Sequence, residues 1–220
     1  MNREKAKKTI LAVIGILFVG TGIAFNAAAS LGNDPIGIVY DGLRNMLALS
    51  AQQLGMASNF VNFALTAIVF LGGRRYVNIG TFIYIIPYGA IVDLGGKLYH
   101  ALFPVQTLPL QILGAFIGCM LLYFGVAMFI AADIGLDPFT GTVMLIRDKV
   151  KKEYRTVKIC FDAGCVLLGV ISGGRLGIIT VVTMLAAGPV IQFFSEGISK
   201  CISKCMKGDT AHKIESEVSV

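Results

Sequence analysis

The 220-residue chain carries a net charge of +6, is 55% hydrophobic and only 15% charged, and has a mean hydropathy of +0.76. That balance excludes an ordinary soluble domain and puts most of the chain in lipid, so the positive charge reads as a topology signal and not as a nucleic-acid surface. No phosphate loop, dinucleotide fingerprint or nucleophile elbow is present, which argues against an enzyme or a cofactor protein.

In chain order, six apolar segments are long enough to cross a hydrocarbon layer that needs about 20 helical residues: 9–30, 55–72, 78–101, 108–132, 156–172 and 176–199. The first has the basic start and small-residue end of a secretory signal. Its counterpart at 114–132 lies in mid-chain, so both read as retained helices. Between the first and second segments stand Gly32, Asp34 and Pro35, and the same sequence of residues returns as Gly135, Asp137 and Pro138. Aspartate caps a helix, proline suits its first turn, and glycine permits the reversal before it, so a short helix is expected after each pair. From Pro138 to Ile146 the apolar run is only nine residues, about 14 Å of helix and half a bilayer.

The recurrence is general. An offset of 103 brings Gly22 onto Gly125, Ala28 and Ala29 onto Ala131 and Ala132, Asp34-Pro35 onto Asp137-Pro138, and Arg44 onto Arg147. Gly72-Gly73-Arg74 meets Gly173-Gly174-Arg175 at 101, and Pro87 meets Pro189 at 102. The expected fold is all-α: a polytopic helical membrane protein with about six transmembrane helices, two short helices after Asp-Pro, and two inverted three-helix repeats. The divisions are 1–105, 106–205 and a polar, flexible cytoplasmic tail at 206–220. A rival count of eight crossings would make the repeats parallel.

Lysine and arginine set the orientation. With six crossings and the N-terminus in the cytoplasm, the N-terminal charges, Arg74, Arg75, the cluster from Arg147 to Arg155 and the C-terminal lysines fall inside. Arg44, Lys97 and Arg175 remain outside. The expectation is a multi-pass protein of a bacterial cytoplasmic membrane with both termini cytoplasmic.

Candidate binding residues are the ionisable and amide groups in or beside apolar segments: Asn26, Asn62, Asp93, Asp133, Lys158 and Asp162, with Asp34 and Asp137 at the short-helix starts. Lys158 and Asp162 stand four apart on one helical face, where an ion pair lowers the cost of either charge in lipid. The alternative for each is interhelical hydrogen bonding or snorkelling. Helix N-termini suit an anionic ligand group, whereas Gly32, Gly135, Pro35 and Pro138 are structural. The cysteines read as free thiols, and His100 and His212 are too far apart for a zinc site.

Gly32-x-x-Pro35, a crossing ending in Gly72-Gly73, the pair Gly80-Thr81, then Gly135-x-x-Pro138, Lys158 with Asp162 and Gly173-Gly174 resemble the YitT/YczE group of bacterial membrane proteins over residues 10–199. With no soluble domain after the sixth crossing, the likeness is closer to the YczE branch. It departs at Ile36, where the branch has an aromatic residue, and at Lys158–Asp162, which stand where an arginine–glutamate pair is expected. The second Gly-Thr is stretched to Gly177-Ile178-Ile179-Thr180.

The functional expectation is a small-molecule transporter or exporter. It has a central site between inverted halves, the bilayer as partner, an anionic group as one candidate ligand chemistry, and proton coupling and homo-oligomerisation left open. The alternative is a non-transporting accessory or scaffold protein. No metal and no cofactor are expected.

Overall fold

A computed structural model describes the backbone of residues 3–218 and the side chains of residues 5–201. The tail expected at 206–220, and Cys205, lie outside the residues whose side chains are described. Among the described residues eight α-helices follow one another: α1 (Arg3–Ala29), α2 (Pro35–Met46), α3 (Leu54–Gly72), α4 (Ile79–Leu102), α5 (Leu108–Ala132), α6 (Pro138–Val150), α7 (Tyr154–Ile171) and α8 (Ile178–Val218). Five of these segments are long and apolar enough to cross a membrane: Lys5–Ala29, Ala51–Gly72, Ile79–Leu102, Leu108–Ala132 and Ile178–Cys201. The sixth expected crossing, α7, has 18 residues, about 27 Å of helix. Arg155, Lys158 and Asp162 set its composition apart from the other five.

The surface is apolar and the interior holds much of the polarity. Leu71, Leu185 and Phe193 are 86%, 76% and 75% exposed, while Asn26, Ser58 and Asn62 are buried. A lipid solvent accounts for both, because it covers leucine and phenylalanine without cost and drives amides inward to find partners. The chain is therefore a multi-pass helical membrane protein.

The short helices form as their starts require. The Asp34 carboxylate accepts the Gly37 N–H at 3.3 Å and Asp137 accepts the Thr140 N–H at 3.0 Å, each with proline in the first turn. The reversals before them use positive φ at Gly32 (103°) and Gly135 (151°), angles that a side chain would strain. With 12 and 13 residues, α2 and α6 reach only about 18–20 Å, short of a bilayer core of about 30 Å.

At the centre α1 crosses α5, where glycines let the backbones meet. A Cβ on Gly15 would stand 2.8 Å from the Gly125 carbonyl oxygen, and one on Gly22 would stand 2.6 Å from that of Gly118. As the α1 number rises by seven the α5 number falls by seven, so the two helices run antiparallel. A count of eight alternating crossings would make them parallel.

Most of the remaining contacts come in matched pairs, the α3–α4 contact being the exception. α4 lies on α1 as α8 lies on α5, and α2 packs on α7 as α6 packs on α3. Even the reversals match. Ile179 N–H donates to the Leu31 carbonyl at 3.1 Å, and the Thr81 hydroxyl donates to the Leu136 carbonyl at 2.7 Å. Thr81 and Thr180 each accept, through the hydroxyl oxygen, the backbone N–H three residues earlier, from Asn78 and Gly177. These threonines pair α4 with α8 at an offset of 99, not the 102 suggested by the prolines. Pro87 and Pro189 lie inside their helices, three residues out of that register.

Candidate functional site

The polar centre is assembled by α2, α3, α4, α6 and α7. Lys158 Nζ donates to both oxygens of Asp162, at 2.8 and 2.7 Å, as the four-residue spacing foretold. The same ammonium lies 4.6 Å from the centroid of Phe139, the residue after Pro138, and Phe139 packs on Phe161 at 5.0 Å. Asp34 lies within the electrostatic reach of both Lys158 and Asp162. The start of α2 therefore faces the charged pair of α7, across the duplication.

A group of tyrosines, absent from the sequence reading, completes the centre. Tyr84 stacks on Tyr88 at 4.9 Å, Tyr88 meets Tyr40 edge-on at 6.3 Å, and Tyr84 meets Phe129 edge-on at 5.3 Å. The charges of Asp34 and Asp137 both reach Tyr40 and Tyr84, which ties the two short-helix starts to one place. Tyr40 donates to Asn62 Oδ1 at 3.1 Å. The other amide atom, Asn62 Nδ2, and the Tyr88 hydroxyl are buried without a well-formed hydrogen bond. Buried polar atoms of that kind cost free energy unless a water or ligand meets them. Tyr84-x-x-x-Tyr88 is a spacing that places two phenols on one helical face. That was the available signal, and composition hides it because tyrosine is counted among the hydrophobic residues.

The other sequence candidates lie elsewhere. Asn26 is at the α1–α5 crossing, where its Oδ1 accepts the Cys119 thiol at 3.7 Å and its Nδ2 has no partner. Asp93 joins α4 to α3 by accepting the Gly55 N–H at 2.6 Å. Asp133 is the left-handed C-cap of α5 (φ 50°) and is exposed; it contributes to a helix end and stands apart from the central cluster. Cys119 and Cys165 are buried free cysteines and Cys160 an exposed one.

Two further clusters mark the ends of the molecule. At one, Asp41 holds Arg44 at 2.7 Å and accepts the Arg175 N–H at 2.9 Å, while Arg175 donates to the Ser30 hydroxyl at 3.0 Å. Together with Asp93 and His100 these residues line a pocket of about 210 Å³. At the other end Asp148 receives Arg75, Tyr76 and Arg147. The sequence had assigned Arg44 with Arg175, and Arg75 with Arg147, to opposite faces. Each pair shares one aspartate.

Comparison with known proteins adds the lineage. An uncharacterized protein of Haemophilus influenzae (strain ATCC 51907 / DSM 11121 / KW20 / Rd) is 24% identical over 196 residues, covering 89% of this chain and 86% of that protein. The uncharacterized membrane protein YczE of Bacillus subtilis (strain 168) is 21% identical over 194 residues, covering 88% and 87%. No solved structure matches. Residues 6–196 match the family described as "Family of unknown function (DUF6198)", and the chain belongs to that family of YczE-type membrane proteins.

Proposed function

We propose that the protein is a small-molecule transporter of a bacterial cytoplasmic membrane. Its two halves are inverted repeats that enclose the site of Asp34, Asp137, Lys158, Asp162 and the tyrosines, with both termini cytoplasmic. The antiparallel α1–α5 crossing supports inversion, because the contact of Gly15 with Gly125 maps onto that of Gly118 with Gly22 under the offset of 103. A two-fold axis perpendicular to both helices produces that exchange, and such an axis lies in the membrane plane.

One observation carries the transport reading: a seam in one half is open in the other. In the first half α3 closes on α4, where a Cβ on Gly89 would meet the Gly55 carbonyl oxygen at 2.6 Å and the Gly89 N–H donates to Asn59 at 3.0 Å. Among the described residues α7 and α8 form no comparable seam. Gly188, the counterpart of Gly89 in the threonine register, has nothing within 4 Å of its Cβ position. Inverted repeats that differ in this way are the two ends of an alternating-access cycle: when α7 closes on α8, α3 parts from α4, and the site changes sides.

The test is solute flux in proteoliposomes with Asp162→Asn, Lys158→Ala and Asp137→Asn. Each is expected to lower flux by about tenfold or more, as loss of an intramembrane functional charge should. Unchanged flux in all three, with a partner protein copurifying, would turn the reading to the accessory protein.

A further inference from the structure

Resting on that reading, we infer that the guest of the central site is an organic ammonium and that Lys158 is its tethered stand-in. Lys158 Nζ already has what an alkylammonium ligand would require: two carboxylate oxygens at 2.8 and 2.7 Å and an aromatic face at 4.6 Å. Its stem enters from α7, but nothing in the recognition depends on the tether. A free alkylammonium of the same length can take the place of the head group once the lysine swings aside. Ammonium ions favour such surroundings because carboxylates neutralise them and aromatic faces attract them.

Charge balance points the same way. The charges that bear on Asp34, Tyr40 and Tyr84 are three carboxylates, Asp34, Asp137 and Asp162, and one ammonium, Lys158, while Arg147 is paired with Asp148 farther along α6, so an anion would add to an excess and a cation would relieve it. The short-helix starts do not reverse this, because Gly37 N–H and Thr140 N–H already donate to carboxylates of the chain itself. A second, independent mark is Tyr88. It is completely buried, its hydroxyl lies against those of Tyr84 and Tyr40 in poor hydrogen-bond geometry, and the Asp34 charge reaches it. A phenol oxygen so placed keeps a lone pair with which to accept an ammonium N–H.

The experiment is equilibrium binding of radiolabelled butylammonium, the length of the lysine side chain, to the purified full-length protein. Lys158→Ala should bind at least about tenfold more tightly than the wild type, because the competing ammonium is gone. Asp162→Asn in the same background should abolish binding, and Phe139→Leu should weaken it by about fivefold, the size of one cation–aromatic contact. Butyrate and butanol should not compete. Equal competition by butyrate, or no gain on removing Lys158, would overturn the assignment. The wild type gives a second reading if the alanine variant does not fold: butylammonium should bind it, and Phe139→Leu alone should weaken that binding. Retained affinity in Phe139→Leu would sink the idea. Ammonium binding without flux would leave the ligand class standing and overturn transport, whereas flux of an anion with no ammonium binding would do the reverse.

Discussion

Tyr40 and Asn62 form the most consequential buried hydrogen bond of the centre, because each has few other options. Replacing Tyr40 with phenylalanine leaves Asn62 buried with neither amide atom paired, which costs about 1–3 kcal/mol. Tyr40→Phe should therefore lower the unfolding free energy in detergent by that amount. Combining it with Asn62→Leu should recover most of the loss, and a double-mutant cycle by denaturant titration measures the recovery. The ion pair of Asp41 and Arg44 follows the same logic with larger numbers, since their side chains are only 9% and 13% exposed. Removing one charge strands the other, a loss of about 3–5 kcal/mol, while removing both costs less. Asp41→Asn should thus destabilise more than Asp41→Asn with Arg44→Gln. Asp148, at the far end, is held below the ordinary carboxylate value of 3.8 by the Tyr76 hydroxyl and then Arg147. A depressed folded value means stabilisation that is complete above 3.8 and lost as pH falls below it. Asp148→Asn should flatten the acid limb of the melting profile below that pH.

Helices here meet through glycine, and the closeness of each crossing predicts its tolerance. At Gly22 a Cβ would lie 2.6 Å from both the Gly118 carbonyl oxygen and the Leu122 nitrogen, so there is backbone on the far side and nothing that can rotate away. Gly22→Val should force α1 from α5 and destabilise by about 1–3 kcal/mol or more. Gly188 is the contrasting case, with open space at its Cβ position. Gly188→Leu should leave the melting temperature nearly unchanged and still block the cycle, because α8 could no longer close on α7 as α4 closes on α3. A fully active Gly188→Leu would remove the open seam from the mechanism. The short helices have their own tether: Asn45 donates to the Gly173 carbonyl at 2.6 Å, binding the end of α2 to the loop after α7. Its position is therefore set by the second half of the chain.

At the scale of the molecule, inversion makes a prediction independent of transport. Gln52 lies near the Asp41–Arg44–Arg175 end and lines its pocket, whereas Lys149 lies beside Asp148 at the other end; both are exposed. Cysteines placed at 52 and 149 in an otherwise cysteine-free protein should react with a membrane-impermeant reagent from opposite sides of the bilayer. Position 149 should be reached only from the cytoplasm. Labelling of both from one side would exclude inverted halves, and alternating access with them.

The sequence alone determined what depends on neighbours along the chain. Hydropathy located five of the six expected spans to within a few residues, as with the segment at 108–132 and α5, whereas 156–172 is not among the candidate crossings of the described residues. The Asp-Pro pairs announced α2 and α6, and the four-residue spacing joined Lys158 to Asp162, because a cap and a helical turn are complete within a handful of positions. The repeat also indicated that Asp34 and Asp137 are equivalents. What it could not determine was which side of each helix faces the centre, because a span that is apolar all round carries no amphipathic mark of its rotation. Hence nothing in the sequence singled out Tyr40, Tyr84 and Tyr88, nothing in it showed that Asp133 caps the end of α5 at an exposed position, and the prolines suggested a register one turn from the one the threonine caps adopt. Only the tertiary structure decided these matters. They depend on contacts between segments as much as a hundred residues apart, where glycine sets how near two backbones come and so which side chains can meet.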